Sequence, residues 1–387
     1  MARSNSILRL ADFLIGVPFV IALRIVTRRS VLPATPKRVG VICPTAIGDL
    51  ILASGLLMNI HERFPDAEIH LFHGKSNAGV VPLLPLPVVG HECDFRMIRR
   101  IVRCLRDSGL DLVVDITPWP RITAIAACLS GAATVGYRTK GQFRHFSFCV
   151  AVLHRDDRHE IENLQAIAEL FGGAPDYRAK LREPIGPLEI GLVLQETVLC
   201  HPCPGGTRAV DKRWPNERWA RLAERLLSLG YRVGFTGGAA DKEVVDDILD
   251  RIAGHTSQVV SLCGDLSLEE MSYAVRHCRA FVTVDTGVLH LASVMNAPTV
   301  ALMGPTDFRR WGATSGNCTH IQSSHPQAGY ISLGFEKCSE AREVMRRISV
   351  DEVLDAVKAT LEKSAKAAAC ESPQVPSACR RVELWKR

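Results

Sequence analysis

The chain has 387 residues, of which 47% are hydrophobic and 23% are charged. This length exceeds one ordinary hydrophobic core and predicts a globular protein of two or three domains. The net charge of +6 is mild for the size. It permits an anionic substrate or a membrane surface, and because no nucleic-acid-binding signature is present, no nucleic-acid partner is predicted.

Thirteen cysteines are scattered along the chain. A secreted disulfide framework would be short and evenly paired, so we predict reduced thiols in a cytoplasmic protein. Cys200 and Cys203 form a Cys-x-x-Cys pair. A zinc site usually needs a second such pair, and a redox pair should open a helix. Prolines and glycines make a loop here instead, so we interpret the pair as structural.

The first element in chain order is a strongly apolar segment at 7–26, within an N-terminal unit that we place at 1–30. Asp12 and Pro18 interrupt it, whereas a spanning helix needs about 20 apolar residues. Arginines flank the segment on both sides, which favours a helix in the interface of the inner membrane, held by anionic lipid. A helix packed on the protein's own surface explains the pattern equally well.

Strand and helix patterns alternate from residue 38, as in a parallel sheet covered by helices. We place a first domain at 38–180 and a boundary in the Pro-rich stretch 175–187. The predicted elements of this domain are a strand at 39–43, a helix at 50–63, strands at 68–72 and 111–116, and a helix at 160–171.

A second domain is placed at 190–362, where the alternation restarts. Its predicted elements are strands at 198–201, 231–236 and 259–262, helices at 216–229, 241–252 and 268–277, and a strand–helix–strand segment at 281–307. A final helix at 350–362 could cross back to the first domain. The Ala-, Ser- and Pro-rich tail at 363–387 is predicted to be disordered.

The first strand ends in Cys-Pro-Thr-Ala-Ile-Gly-Asp at 43–49. Ligands of parallel sheets bind beyond the carboxyl ends of the strands. Gly48 permits a sharp turn, and Asp49 begins the following helix, where a carboxylate could accept a proton from a substrate hydroxyl. The alternative is an acid that only stabilises the helix N-terminus.

A basic pair, Lys212 and Arg213, precedes Trp214-Pro215 and a predicted helix. Cations beside a helix N-terminus suit a diphosphate. A solvated basic loop is the alternative.

Two glycines, Gly237 and Gly238, end a later strand. Asp241 or Glu243 beyond them could bind a ribose hydroxyl, as acidic residues do in nucleotide sites. An ordinary turn would show the same glycines.

Polar residues follow both strands of the segment 281–307. Asp285, Thr286, Gly287 and His290 come after the first strand, and Gly304-Pro305-Thr306 after the second. Thr286 and Gly287 open the helix, where unpaired backbone N–H groups and the helix dipole favour a phosphate. The alternative is a plain strand–helix–strand unit in which Asp285 is an N-cap.

In order and spacing these segments resemble the bacterial heptosyltransferases of the lipopolysaccharide core, glycosyltransferase family 9. That family carries Ser/Thr-x-x-Gly-Asp after its first strand, then Lys-x-Trp-Pro, then Asp-Thr-Gly-x-x-His-x-Ala followed by Gly-Pro-Thr. The matching residues are Thr45–Asp49, Lys212–Pro215, Asp285–Ala292 and Gly304–Thr306. The resemblance runs from about residue 39 to residue 360.

The resemblance implies an α/β protein of GT-B architecture, with two Rossmann-like doubly wound domains facing a cleft. It also implies an inverting transfer of a sugar, with ADP-heptose as the expected donor, onto a lipopolysaccharide-core or related cell-surface saccharide. By the same carry-over Asp49 is the catalytic base, and Lys212 neutralises the departing diphosphate. The residues expected to bind the donor are Thr45, Gly48, Arg213, Gly237, Gly238, Asp241, Asp285, Thr286, Gly287, His290, Gly304 and Thr306. No Asp-x-Asp motif occurs, so neither a metal nor another cofactor is expected.

The chain departs from the family pattern at two places. Cys43 stands where the family commonly has an arginine, and the loop at 203–211 is longer and richer in glycine. Both indicate a divergent member, so another nucleotide-sugar is the alternative donor. An epimerase of the same architecture and a catalytically silent nucleotide-sugar-binding scaffold are the alternative functions.

A cluster of arginines suggests the kind of acceptor. Arg96, Arg99, Arg100, Arg103 and Arg106 occupy one short segment. Beside an interfacial helix, they predict an anionic, lipid-linked saccharide as acceptor and a peripheral position on the cytoplasmic side of the inner membrane. Solvated surface is the alternative.

Overall fold

A computed structural model describes residues 6–26, 30–172, 177–188, 190–252, 257–334 and 336–371. The first half forms one parallel sheet of six strands, ordered β3-β2-β1-β4-β5-β6. These strands are β1 Arg38–Cys43, β2 Glu68–His73, β3 Val89–Glu92, β4 Leu112–Asp115, β5 Ala133–Arg138 and β6 Val150–Leu153. The central strand β1 is buried on both faces, as a sheet covered by helices requires.

The second half repeats this arrangement, with six parallel strands ordered β12-β11-β10-β7-β8-β9. They are β7 Thr197–His201, β8 Arg232–Gly237, β9 Val259–Cys263, β10 Ala280–Val284, β11 Thr299–Met303 and β12 Cys318–Gln322. Numbered from its own first strand, each sheet has the order 3-2-1-4-5-6 of the doubly wound nucleotide-binding fold. The predicted fold class, two doubly wound α/β domains, is confirmed.

Twelve α-helices are present in the described ranges. Those preceding β7 are α1 Ser6–Val26, α2 Ile47–Arg63, α3 Ile98–Asp107, α4 Arg121–Leu129 and α5 Glu160–Ala168. Those following it are α6 Asn216–Ser228, α7 Lys242–Asp250, α8 Leu268–His277, α9 Gly287–Val294, α10 Phe308–Trp311, α11 Ala341–Arg346 and α12 Val350–Glu371. The start of α8 shows the local cause of such boundaries, because Ser267 and Glu270 form a reciprocal capping box there.

The two domains share part of their core. One apolar cluster includes Leu50 and Leu57 of α2 together with Val288 and Leu291 of α9. The segment at 177–188 runs along α2, where the Tyr177 hydroxyl accepts a hydrogen bond from the Leu56 amide at 2.8 Å. Apolar burial therefore holds α2 of one domain against α9 of the other.

The N-terminal helix α1 packs on α4 and on the turn at 144–147. Val20 and Leu23 are buried in this contact, and Asp12 forms an ion pair with Arg121. Along this face the helix packs on the protein's own surface, and the membrane-interface alternative stays a prediction for the opposite face. Among the helices of the described ranges, none combines the length and apolarity needed to cross a bilayer.

Two predictions at the C-terminal end were wrong. The helix α12 packs on α6 and on strands β10 to β12, so it stays with the second domain and does not cross back. It also continues to Glu371, so the predicted disordered tail does not begin at residue 363. Residues 372–387 lie outside the described residues. The eleven cysteines from Cys43 to Cys338 are free thiols.

Candidate active site

The strand order reverses between β1 and β4 in the first sheet and between β7 and β10 in the second. Ligands of doubly wound folds bind beyond the carboxyl ends of the strands at this point. Here the two reversal points face each other. A Cβ on Gly48 would lie 2.6 Å from Cδ2 of His290, and a Cβ on Gly287 would lie 2.8 Å from Cβ of Ile47. The two glycines therefore let the N-termini of α2 and α9 meet across the domain boundary.

Asp49 lies in the first turn of α2 and is half-buried. Its Oδ2 accepts a hydrogen bond from the Ala46 amide at 3.2 Å, which orients the carboxylate. Asp49 and Thr45 line a small interdomain cavity together with Trp311 and Leu333 of the second domain. The volume of this cavity is about 20 Å³, room for roughly one water molecule. In this conformation the cleft in front of Asp49 is closed.

A buried ion pair faces this region from the second domain. Nζ of Lys212 lies 3.0 Å from Oδ2 of Asp285, and both side chains are 11% exposed. Burial by itself would raise the pKa of Asp285, but the charge and the hydrogen bond of Lys212 hold that pKa below its ordinary value. Asp285 therefore stays ionised and fixes the lysine ammonium.

The helix α9 begins directly beside this pair. Thr286 is its N-cap with extended backbone, and Gly287 is its first residue. The first N–H groups of a helix have no partner within the helix and carry the positive end of its dipole. Together with Lys212, this terminus forms a positive site suited to a phosphate group.

His290 lies on the buried side of α9 and is 6% exposed. Burial lowers its pKa to about 4, against the opposing attraction of Asp285, so the imidazole is neutral at pH 7. Its Nδ1 has no hydrogen-bond partner among the residues that the structure describes. A buried polar atom without a partner is rare, and this one is available to a bound group.

The loop after β11 holds the last predicted motif. Gly304 packs against the side chain of Met345, where a Cβ would not fit, so its lack of a side chain serves packing. Thr306 is buried, and its backbone bridges to Ile331. This pairing places the segment around Leu333 over the cleft.

The glycines after β8 lie one strand outward from β7. Oδ2 of Asp241 accepts a hydrogen bond from the Gly238 amide at 2.9 Å, so this carboxylate caps its own turn. Arg213 is exposed, and no ion pair of its side chain is found within the described ranges. The structure thus brings Thr45, Gly48, Asp49, Lys212 and the 285–290 segment together, whereas it leaves Gly237, Gly238, Asp241 and Arg213 at the periphery.

Several residues that sequence reasoning missed join the two domains. Nη2 of Arg310 lies 3.5 Å from Oε2 of Glu160, and both side chains are 7% exposed. Nε2 of His159 lies 3.0 Å from the carbonyl oxygen of Gly312. These contacts hold the cleft closed. The signal that could have identified Arg310 is its position in an Arg-Arg-Trp run just after a strand-end loop.

At both departures from the family pattern, the residues are held in place by the surrounding structure. Cys43 is fully buried, and burial raises the pKa of its thiol well above the ordinary value, so it carries no charge. In the long loop, Nε of Arg208 lies 2.6 Å from Oδ2 of Asp211, and the Tyr330 hydroxyl donates to the same oxygen at 2.7 Å. The extra residues are therefore held beside Lys212.

Comparisons of the sequence with known proteins show its family. Residues 98–331 match the model of glycosyltransferase family 9 (heptosyltransferase). The chain is 37% identical to lipopolysaccharide heptosyltransferase 2 of Escherichia coli (strain K12) over 298 residues, covering 69% of this chain and 82% of that protein.

Solved structures support the architecture. The structure of E. coli ADP-heptose lps heptosyltransferase II matches with a TM-score of 0.68 at 21% identity, covering 85% of this chain and 99% of that one. E. coli heptosyltransferase WaaC with ADP-2-deoxy-2-fluoro heptose matches with a TM-score of 0.60 at 18% identity, covering 84% and 99%. The predicted GT-B architecture is confirmed.

Proposed function

Because this chain belongs to glycosyltransferase family 9 and is a glycosyltransferase, we propose that it transfers heptose from ADP-heptose, with inversion, onto a lipopolysaccharide-core or related cell-surface saccharide. The observation that carries this proposal is the opposition of two groups across the cleft. Asp49 lies in the first turn of α2, next to Gly48, which meets His290 of α9 across the domain boundary. The Lys212–Asp285 pair and the N-terminus of α9 belong to the second domain on the other side of that boundary. The solved relative that carries an ADP-heptose analogue supports the choice of donor.

In the proposed reaction, Asp49 accepts the proton of an acceptor hydroxyl as its oxygen attacks the anomeric carbon. The bond between that carbon and the diphosphate oxygen breaks, and ADP leaves with the electron pair. Lys212 and the first N–H groups of α9 stabilise the negative charge that develops on the diphosphate. A single displacement from the face opposite the leaving group inverts the anomeric carbon. Since Lys212 and the N-terminus of α9 stabilise the charge on the diphosphate, the proposal assigns no role to a metal or cofactor.

The closed cleft implies a conformational step. A cavity of about 20 Å³ in front of Asp49 does not admit a sugar. We propose that the domains open to take up donor and acceptor and then close for the chemistry. Opening separates Arg310 from Glu160 and His159 from Gly312, contacts that join the domains in this state.

The acceptor and the location belong to the same proposal. The exposed arginines of α3 and the exposed apolar face of α1 support an anionic, lipid-linked saccharide presented at a membrane surface. The protein is then peripheral on the cytoplasmic side of the inner membrane. The departure at Cys43 favours one alternative, a member of the family that uses another nucleotide-sugar.

The test replaces Asp49 by Asn, which keeps the shape of the side chain and removes the base. We expect turnover to fall by roughly 10² to 10⁴-fold, while the affinity for ADP-heptose, measured by calorimetry, changes by less than about twofold. Asp111→Asn is the matched control, because Asp111 also accepts hydrogen bonds from backbone amides, those of Lys37 and Arg38, at the amino ends of the central strands. Full turnover in Asp49→Asn would exclude this base. Tight binding of a different nucleotide-sugar in place of ADP-heptose would establish the alternative donor.

A further inference from the structure

The outer face of α1 takes no part in the proposed chemistry, although it supports the proposed position at a membrane surface. Leu14, Ile15 and Ile25 are 60%, 71% and 80% exposed, although the opposite face buries Val20 and Leu23. A helix that is apolar around its whole circumference is normally buried on all sides. The outer face of α1 is therefore suited to an apolar environment outside this chain.

A groove opens beside this face, between α1, α3 and α4. Its volume is about 820 Å³, within the range of about 300–1,000 Å³ typical of small-molecule sites. The apolar side chains that line it include Ile15, Phe19, Val102, Ile122, Ile125 and Leu129. It shares no lining residue with the cavity at Asp49, so it is a second site on the first domain.

One wall of the groove is positively charged. Arg99, Arg103 and Arg106 are spaced by four and three residues, so they form one stripe along α3. All three are exposed, and no ion pair of theirs is found within the described ranges. Nε of Arg106 donates to the carbonyl oxygen of Leu129 at 2.8 Å, which holds this guanidinium at the end of the groove.

The acidic residues of the groove offset this charge only in part. Asp12 is already ion-paired with Arg121, so its carboxylate is neutralised. Asp107 at the end of α3 is exposed and opposes one of the three arginines. The wall as a whole stays cationic beside an apolar channel.

We propose that this groove binds one acyl chain of an anionic phospholipid of the bilayer, with the lipid phosphate on the stripe of Arg99, Arg103 and Arg106. The apolar channel matches the chain and the arginines match the phosphate. The exposed face of α1 continues the same apolar surface into the membrane interface. Arginine stems lie along apolar surface while their charged heads stay at the polar boundary, as this geometry requires.

A second copy of the chain fits this face less well. In a two-fold dimer the same patch meets itself. Two cationic stripes would then approach each other around an apolar contact, at a cost in free energy. The lipid proposal rests on neither the identity of the sugar donor nor the role of Asp49.

The first test uses single-chain probes on the full chain, titrated by calorimetry below their micelle concentrations. Decyl phosphate should bind more tightly than octyl phosphate by roughly 15-fold, because each buried methylene contributes about a fourfold gain. Inorganic phosphate should show no saturable binding, and decyl maltoside, with the same tail and no charge, should bind more weakly than decyl phosphate. Equal binding of decyl maltoside and decyl phosphate would overturn the proposal.

Variants then locate the site. The double substitution R99Q/R103Q should weaken decyl phosphate binding by roughly 25-fold, about fivefold per arginine. Both positions are exposed, so folding should be unaffected. Arg221→Gln, at an exposed arginine of α6, is the matched control and should change nothing. Ile125→Trp should block the probe by filling the groove. Unchanged binding in R99Q/R103Q would overturn the proposal.

Vesicles identify the source of the lipid. Flotation with phosphatidylglycerol-containing vesicles should retain the wild-type chain and lose R99Q/R103Q, whereas pure phosphatidylcholine vesicles should retain neither. A dimer in sedimentation equilibrium that Ile125→Trp dissociates would assign the groove to a second copy and overturn the lipid proposal. Binding of ADP-heptose, measured by calorimetry, should be equal in wild type and R99Q/R103Q, because none of the residues assigned to the donor lines this groove. A failure of the proposed function would appear in this donor-binding assay and not in the binding of decyl phosphate or vesicles.

Discussion

The substitution Gly48→Ala should hinder closure of the cleft without lowering the stability of the fold. In the closed conformation the added Cβ would lie 2.6 Å from Cδ2 of the buried His290 and 3.4 Å from Cα of Gly287. Ordinary Cβ contacts lie at 3.4–4 Å. The clash therefore exists only while the two domains are in contact, because Gly48 and His290 belong to different domains.

The expected magnitude follows from the clash. Inserting a methyl group into a packed contact costs about 1–3 kcal/mol, equivalent to a loss of roughly 5- to 150-fold in the closed population. Within the first domain the effect has the opposite sign, because alanine is favoured over glycine in a helix by about 1 kcal/mol. We therefore expect turnover to fall roughly 5- to 150-fold while the free energy of unfolding is unchanged or slightly higher.

The measurements are steady-state transfer with saturating ADP-heptose, chemical denaturation, and the radius of gyration from small-angle scattering. Scattering should show a more open average shape for the variant. Gly79→Ala is the matched control, because Gly79 also lies at the domain boundary but its Cβ would make an ordinary contact of 3.7 Å with Cβ of Leu268. Wild-type turnover together with a wild-type radius of gyration in Gly48→Ala would refute the idea that this contact forms during catalysis.

Three further changes test the site and its supports. Lys212→Ala should weaken ADP-heptose binding by roughly 10- to 150-fold, because it removes the equivalent of a hydrogen bond to a charged group. It should also raise the pKa of the buried Asp285. An unchanged dissociation constant in calorimetry would contradict the role of Lys212 in donor binding. Arg144→Ala leaves the fully buried carboxylate of Asp115 without its cation and should lower the free energy of unfolding by about 3–5 kcal/mol, measured in urea. Burial lowers the pKa of His201 from 6.5 to about 4, so on acidification the unfolded state takes up the proton before the folded state does. The free energy of unfolding should therefore fall as the pH drops from about 6.5 towards 4, by up to about 3 kcal/mol from this group. His201→Gln should flatten that part of the stability curve, and an identical slope would exclude His201 as its source.

Most strands that sequence reasoning predicted are buried on both faces, although the buried strand β5 was missed. The central strands β1 and β10 are continuous apolar runs, because a parallel sheet with helices on both sides excludes water from them. The edge strands β3 and β6 were not predicted. Each has four residues and is only partly buried, so its sequence need not differ from that of a loop.

Some residues of the candidate site were predictable from the sequence and others were not. The positions of Asp49 and Asp285 at strand ends were predictable, because each is set by a short motif whose local geometry does not depend on distant residues. Asp241 caps its turn through the Gly238 amide just as Asp49 caps the start of α2 through the Ala46 amide, so their local geometries are alike. They differ in strand position, because β8 lies one strand outward from β7. The order in which distant strands pair is not recorded in residue type and spacing.

By itself the amino-acid sequence determined the repeated strand and helix pattern, the family motifs and the apolar character of the N-terminal helix. Only the tertiary structure decided which of these segments meet. The pairs Asp12–Arg121 and Glu160–Arg310 join residues more than a hundred positions apart, and Gly48 meets His290 across the domain boundary. The physical reason is that motifs and periodicity record interactions within a few residues, whereas contacts between distant residues depend on how whole sheets and helices pack together.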